Sequence, residues 1–191
     1  MKQVGLFFGS FNPIHIGHMI IADHVALHSE VEEIWFVVSP QNPLKQEGQL
    51  LNESQRLQMV RLAIADDARF RASDIEFQLE KPSYTIKTLQ ELTREYPDVA
   101  FTLILGGDNL ASFTKWKDYQ EILKNFPIIL YDRPDFDASV MAEKGRITQM
   151  DAPLMNISST LIRTRIENGL DVKYLMPYEA WRYLDEMNLY K

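Results

Sequence analysis

The sequence predicts an α/β fold: a mostly parallel sheet held between two layers of helices, a three-layer α/β/α sandwich. Short apolar runs rich in β-branched and aromatic residues stand at 4–8, 34–38, 101–105 and 128–131, with weaker ones near Phe70 and Ile147. Runs of this kind read as strands covered on both faces. Segments of helical period separate them, and strand–helix alternation implies parallel strands joined by right-handed crossovers. The 191 residues are 46% hydrophobic, enough for a core that buries roughly 70% of the unfolded surface. One domain is expected across 1–191, with a helical C-terminal segment from about residue 158. No stretch is long and polar enough to be a linker, and there is no repeat or low-complexity tract.

Each element has a local reason. The strand at 4–8 runs into a loop shaped by Gly9 and Pro13, then a helix over 19–27. The strand at 34–38 leads to a helix over 55–65, whose start carries the capping-box pattern Asn52-Glu53-Ser54-Gln55. A helix over 86–96 follows Ser83-Tyr84-Thr85, and the strand at 101–105 ends in the turn Gly106-Gly107-Asp108. A second capping-box pattern, Asp118-Tyr119-Gln120-Glu121, opens a helix over 119–124. Gly169 closes a helix over 161–168, and Pro177 suits the first turn of the last helix, 178–187.

Composition excludes several classes of function. A formal charge of −7 argues against a protein that tracks along nucleic acid, which needs a basic surface to release counterions. A small anionic substrate remains possible, held by a few placed cations and helix N-termini. Cysteine is absent, which removes disulfides and cysteine-ligated metals. The first apolar run is too short for a signal segment and none approaches a membrane span, so a cytoplasmic location without membrane partners is the expectation.

Two motifs carry chemistry. His15-Ile16-Gly17-His18 falls between the first strand and the first helix, where α/β proteins hold phosphates. Imidazoles at i and i+3 share one side of a helical turn, and Gly17 removes a side chain that would obstruct a close ligand. Ile157-Ser158-Ser159-Thr160-Leu161-Ile162-Arg163 places three hydroxyls before a helix, with an arginine one turn on. Its N–H groups, hydroxyls and guanidinium suit phosphate oxygens. Taken singly, each motif is equally a helix cap.

Together the motifs Gly-Ser-Phe-Asn-Pro-x-His-x-Gly-His and Ile-Ser-Ser-Thr-x-x-Arg resemble the nucleotidyltransferases related to class I aminoacyl-tRNA synthetases, which have a Rossmann-like fold. Ser39-Pro40-Gln41-Asn42-Pro43-Leu44-Lys45, Pro82-Ser83-Tyr84-Thr85, Gly106-Gly107-Asp108 and Trp116 are similar in type and order to the bacterial nicotinate-nucleotide adenylyltransferases. The resemblance spans residues 4–163.

It implies adenylyl transfer from ATP to nicotinate mononucleotide, giving deamido-NAD and pyrophosphate. It further implies that His15, His18 and Arg163 carry the catalysis. Gly9, Ser10, Phe11, Gly106, Asp108, Ser158 and Ser159 would join those three in holding ATP. Lys45, Ser83, Tyr84, Thr85, Trp116 and Arg133 would hold the mononucleotide: Trp116 by stacking on the pyridine ring, and Ser83 to Thr85 by backbone donors to the nicotinate carboxylate. Magnesium is expected to arrive with ATP, since no carboxylate cluster forms a dedicated cage. A homo-oligomer is left open.

Phe8 stands where many relatives have glycine, with an expected effect on the ATP side. Asn12 stands where Asp is frequent, and Lys87 where an acidic residue is common. Phosphopantetheine adenylyltransferases share both phosphate motifs, but residues 82–85 and Trp116 favour nicotinate. A synthetase fragment lacks support, for want of a Lys-Met-Ser-Lys-Ser-like loop. A silent nucleotide-binding module sits poorly with the retained histidines and Arg163.

Overall fold

The computed structural model describes residues 1–40, 50–107, 109, 112–131, 145–153 and 155–191. Strands β1 (Lys2–Gly9), β2 (Glu33–Val38), β3 (Phe70–Ser73), β4 (Val99–Gly106), β5 (Ile128–Tyr131) and β6 (Ile147–Met150) form one sheet in the order β3-β2-β1-β4-β5-β6. Every neighbouring pair is parallel, and both weak candidates, near Phe70 and Ile147, are strands. Helices α1 (Ile16–His28), α2 (Glu53–Ala63), α3 (Thr85–Glu95), α4 (Tyr119–Asn125), α5 (Ser159–Glu167) and α6 (Tyr178–Glu186) flank the sheet.

The period of two along each strand divides the core into two layers. Ile34, Phe36 and Val38 of β2 and Ile104 of β4 face a cluster built with Val25 of α1, Val60 of α2, Ile162 of α5 and Leu184 of α6. Trp35 and Val37 of β2 and Leu103 and Leu105 of β4 face the other side, with Leu89 of α3 and Ile122 of α4. Burying each such side chain contributes about 1.5–3 kcal/mol, so both faces hold their helices in place. Gly5 permits a close approach in the sheet: a Cβ there would lie 2.8 Å from Ile104 Cδ1.

Helix boundaries follow the caps, with four departures. α1 begins at Ile16, before the predicted 19, because extended His15 (φ −146°, ψ 170°) takes the cap position. Asn52 Oδ1 accepts from the Ser54 N–H at 2.8 Å, a one-sided cap rather than the reciprocal box. At Asp118 no side-chain cap forms, because its left-handed backbone (φ 53°, ψ 36°) departs from the extended conformation that aims a cap at the first turn. Pro177 precedes α6 as its cap instead of opening its first turn. Gly169 closes α5 as expected: at φ +70° it lets its own N–H reach Ile166 O and that of Leu170 reach Arg165 O, each at 2.9 Å, the paired bonds of a Schellman motif.

From β1 the chain builds outward through β2 and β3, then crosses back to place β4 on the other side of β1. Such a reversal opens a crevice at the carboxyl ends of the strands, here beyond Gly9 and Gly106.

Candidate active site

The loop leaving β1 is pinned by an aromatic side chain. Phe11 has a left-handed φ of 44°, costly for a residue with a Cβ. Its buried ring packs edge-on against Phe7 and His18 and tilted against Phe36, which offsets that cost. A Cβ on Gly9 would lie 2.8 Å from the Phe11 ring, so glycine is required where the loop doubles back. The turn delivers His15 to the head of α1, where the His15 and His18 rings stack with centroids 3.7 Å apart. Gly17 leaves room for the His15 ring, whose Nδ1 lies 3.0 Å from the Cβ position.

His18 Nδ1 accepts the backbone N–H of His15 at 3.1 Å. An accepting nitrogen carries no proton, so the neutral ring holds its proton on Nε2. The Nε2–H is then the donor of the ring. Half-buried, it lies at the N-terminus of a 13-residue helix, where the helix dipole favours anions.

The second motif docks directly on this loop. Ser159 Oγ donates to Pro13 O at 2.8 Å and Arg163 Nη1 to Asn12 O at 2.9 Å, across 146 and 151 residues of sequence. The Ile157 carbonyl oxygen lies 3.9 Å from the Cβ position of Gly17. Ser158 caps α5 through the Leu161 N–H at 3.1 Å and is exposed, while Arg163 is half-buried. His15, His18, Ser158, Ser159 and Arg163 thus share one end of the sheet with Gly9, Ser10 and Phe11.

On the other face, Ser83 is buried and its hydroxyl donates to Glu76 Oε2 at 2.8 Å. Tyr84 is the cap residue of α3 without a side-chain cap, and Thr85 opens the helix. Lys117 Nζ stands 4.8 Å over the Tyr84 ring, which brings the Trp116 segment beside these residues. Trp116 is half-buried, its ring tilted on Phe113 at 5.0 Å. Phe8 packs into the same cluster as Tyr84 and Trp116, on the sheet face opposite Phe11. Its register in β1 turns Phe8 toward Tyr84 and Trp116 and away from Phe11. Gly106 ends β4 buried; Lys45, Asp108 and Arg133 lie outside the described residues.

Three supporting residues escaped the sequence reading. Arg56 and Glu76 are fully buried behind the loops, and Tyr190 OH donates to Asn12 Oδ1 at 2.6 Å. Arg56 had a signal, since it shares a helical stripe with Met59, Val60 and Ala63 where an apolar residue is expected. Burial pushes the Glu76 carboxyl above its ordinary value although Thr88, Ser83 and Ser39 hydrogen-bond it. Among the described residues no group of three His, Cys, Asp or Glu side chains gathers as a metal site.

A parallel sheet of this order, with a paired-histidine turn at the switch point and the Ser159–Arg163 segment docked on it, is the arrangement of an α/β nucleotidyltransferase. A cytidylyltransferase-like family model matches residues 6–165. The chain is 46% identical over 191 residues to the probable nicotinate-nucleotide adenylyltransferase of Flavobacterium johnsoniae, covering 99% of each. It is 47% identical over 178 residues to that of Cytophaga hutchinsonii, covering 93% of each. A solved structure of Plasmodium falciparum nicotinic acid mononucleotide adenylyltransferase complexed with NaAD has the same fold, with a TM-score of 0.85 and 22% identity over 100% of this chain and 98% of that one. The chain belongs to the cytidylyltransferase-like family and, within it, to the nicotinate-nucleotide adenylyltransferases.

Proposed function

We propose that the protein transfers the adenylyl group of ATP to nicotinate mononucleotide, forming deamido-NAD and pyrophosphate. The observation that carries this reading is the docking of Ser159 and Arg163 onto Asn12 and Pro13, beside the two histidines. A phosphate oxygen of the mononucleotide attacks the α-phosphorus of ATP, the bond from that phosphorus to the bridging oxygen breaks, and pyrophosphate leaves with the electron pair. The nucleophile is already an anion and the leaving group is stable, so positioning and charge stabilisation suffice.

His18 donates from Nε2 to the α-phosphate, where charge shifts during displacement, and His15 supports the triphosphate. Backbone groups of Gly9, Ser10 and Phe11 line the ATP side. Ser158, Ser159 and Arg163 hold the β- and γ-phosphates. Gly106 and Asp108 meet the ATP ribose or its hydrated ion. ATP enters as its magnesium complex. Ser83, Tyr84 and Thr85 receive the nicotinate carboxylate at the head of α3, Trp116 stacks on the pyridine ring, and Lys45 and Arg133 serve the mononucleotide phosphate. No helix among the described residues is long and apolar enough to cross a membrane.

The test offers MgATP with nicotinate mononucleotide, its nicotinamide analogue or phosphopantetheine and follows pyrophosphate. Release is expected with the first. Release with another acceptor but not the first overturns the reading.

A further inference from the structure

Past α6 the chain returns to the loop that follows β1. The backbone turns at Asn188, left-handed at φ 50°, with the Asn188 N–H donating to Asp185 O at 3.1 Å and the Leu189 N–H to Leu184 O at 3.0 Å. Asparagine tolerates that conformation better than other residues with a Cβ. The turn sets Leu189 in the core and brings Tyr190 to Asn12, 178 residues away in sequence. Tyr190 is itself left-handed, at φ 64°, an unfavourable backbone for an aromatic residue. Its ring packs against the core, and its hydroxyl makes a defined bond.

The Tyr190 hydroxyl donates to Asn12 Oδ1 at 2.6 Å, and the Leu51 N–H donates to the same atom at 3.2 Å. Two donors converging on one atom identify it as the amide oxygen. Asn12 is 4% exposed, and its backbone carbonyl accepts Arg163 Nη1 at 2.9 Å. One residue thus receives Tyr190 on its side chain and Arg163 on its backbone. Packing alone is satisfied by the ring, and a hydroxyl taken out of water is unfavourable unless it is bonded. We propose that Tyr190 is a positioning residue, whose hydroxyl holds Asn12 and through it sets the guanidinium of Arg163 in the register that adenylyl transfer needs. The inference rests on the functional reading above, in which Arg163 meets the triphosphate. Tyr190 touches neither substrate and acts through alignment: in-line transfer between bound anions is sensitive to displacement, and about 1 Å of misplacement costs on the order of 10²-fold.

Tyr190→Phe deletes the hydroxyl and keeps the ring. With MgATP and nicotinate mononucleotide saturating, at a temperature well below the melting point of both proteins, kcat falls about tenfold. KM for the mononucleotide stays at the parental value, because Tyr84 and Trp116 lie on the opposite face of the sheet from Tyr190. A purely structural hydroxyl lowers Tm and leaves kcat unchanged. In an Arg163→Ala background the same substitution costs less than about twofold, since the group it aligns is gone. Parental kcat in Tyr190→Phe overturns the proposal, as does a tenfold loss repeated in the Arg163→Ala background. If Tyr190→Phe does not fold, Asn12→Ala decides: it removes the acceptor and keeps the backbone carbonyl, so kcat falls by about tenfold or more, and a parental kcat contradicts the link. A parent protein without turnover defeats the functional reading itself, whereas an active parent matched by Tyr190→Phe defeats this alignment alone.

Discussion

At Trp116 part of the indole rests on Phe113 while the residue is only half-buried, which leaves surface for a second ring. If stacking on the pyridine ring is equal in ground and transition states, Trp116→Ala raises KM for the mononucleotide and leaves kcat near the parental value. Steady-state kinetics at saturating MgATP check this, and an unchanged KM assigns Trp116 to packing alone. Glu76 gives a pH prediction. Burial raises its carboxyl above the ordinary 4.5, so the folded state binds this proton more tightly than the unfolded state. The resulting stabilisation is complete below about pH 4.5 and is lost as pH rises through the raised folded value. Relative to the parent, Glu76→Gln therefore gains stability as pH rises across that window. Urea titrations of both proteins at a series of pH values measure the difference, and a constant difference contradicts it.

Among the elements, α5 shows how local sequence sets functional geometry. Ser158 fixes its start and Gly169 its end, so the nine-residue helix presents Ser159 and Arg163 at a defined angle to the loop after β1. Gly169 stands at φ +70° with nothing within 4 Å of a Cβ. Gly169→Ala therefore meets no clash but strains the backbone, and should cost about 1 kcal/mol in denaturant melts without changing kcat. A stability equal to the parent's contradicts the cap. Strands and most helices were legible from apolar runs and helical period, because both sheet faces are covered and periodicity then reports burial. The capping pattern at Asp118 misled, because sequence shows a residue able to cap but not the φ that decides whether it does. The cap reading of the histidine motif holds at His15, whose extended backbone takes the cap position of α1.

Across the whole molecule, the site depends on contacts that sequence distance conceals. Asn12 is the junction: its carbonyl accepts Arg163 at 2.9 Å, and its Oδ1 accepts Leu51 N–H at 3.2 Å and Tyr190 OH at 2.6 Å. The C-terminal segment sets Leu184 and Leu189 in the core with Trp181, Tyr183 and Tyr190 against it. The two motifs that the sequence singles out do meet in the fold, where Ser159 and Arg163 hydrogen-bond the loop ahead of His15. Arg56, Glu76 and Tyr190 were not, because a buried polar group declares its purpose only through partners the fold brings to it.

The central claim is that two motifs far apart in the chain act on one triphosphate, and the rate of the chemical step tests it most directly. Rapid-quench measurement of adenylyl transfer, with MgATP and nicotinate mononucleotide saturating, compares the parent with His18→Ala and Arg163→Ala. Each variant should be slower by about 10²-fold, the scale of losing a transition-state donor. The double variant should lose less than the product of the two, as for groups that act as a unit. A parental rate in either folded single variant contradicts the account.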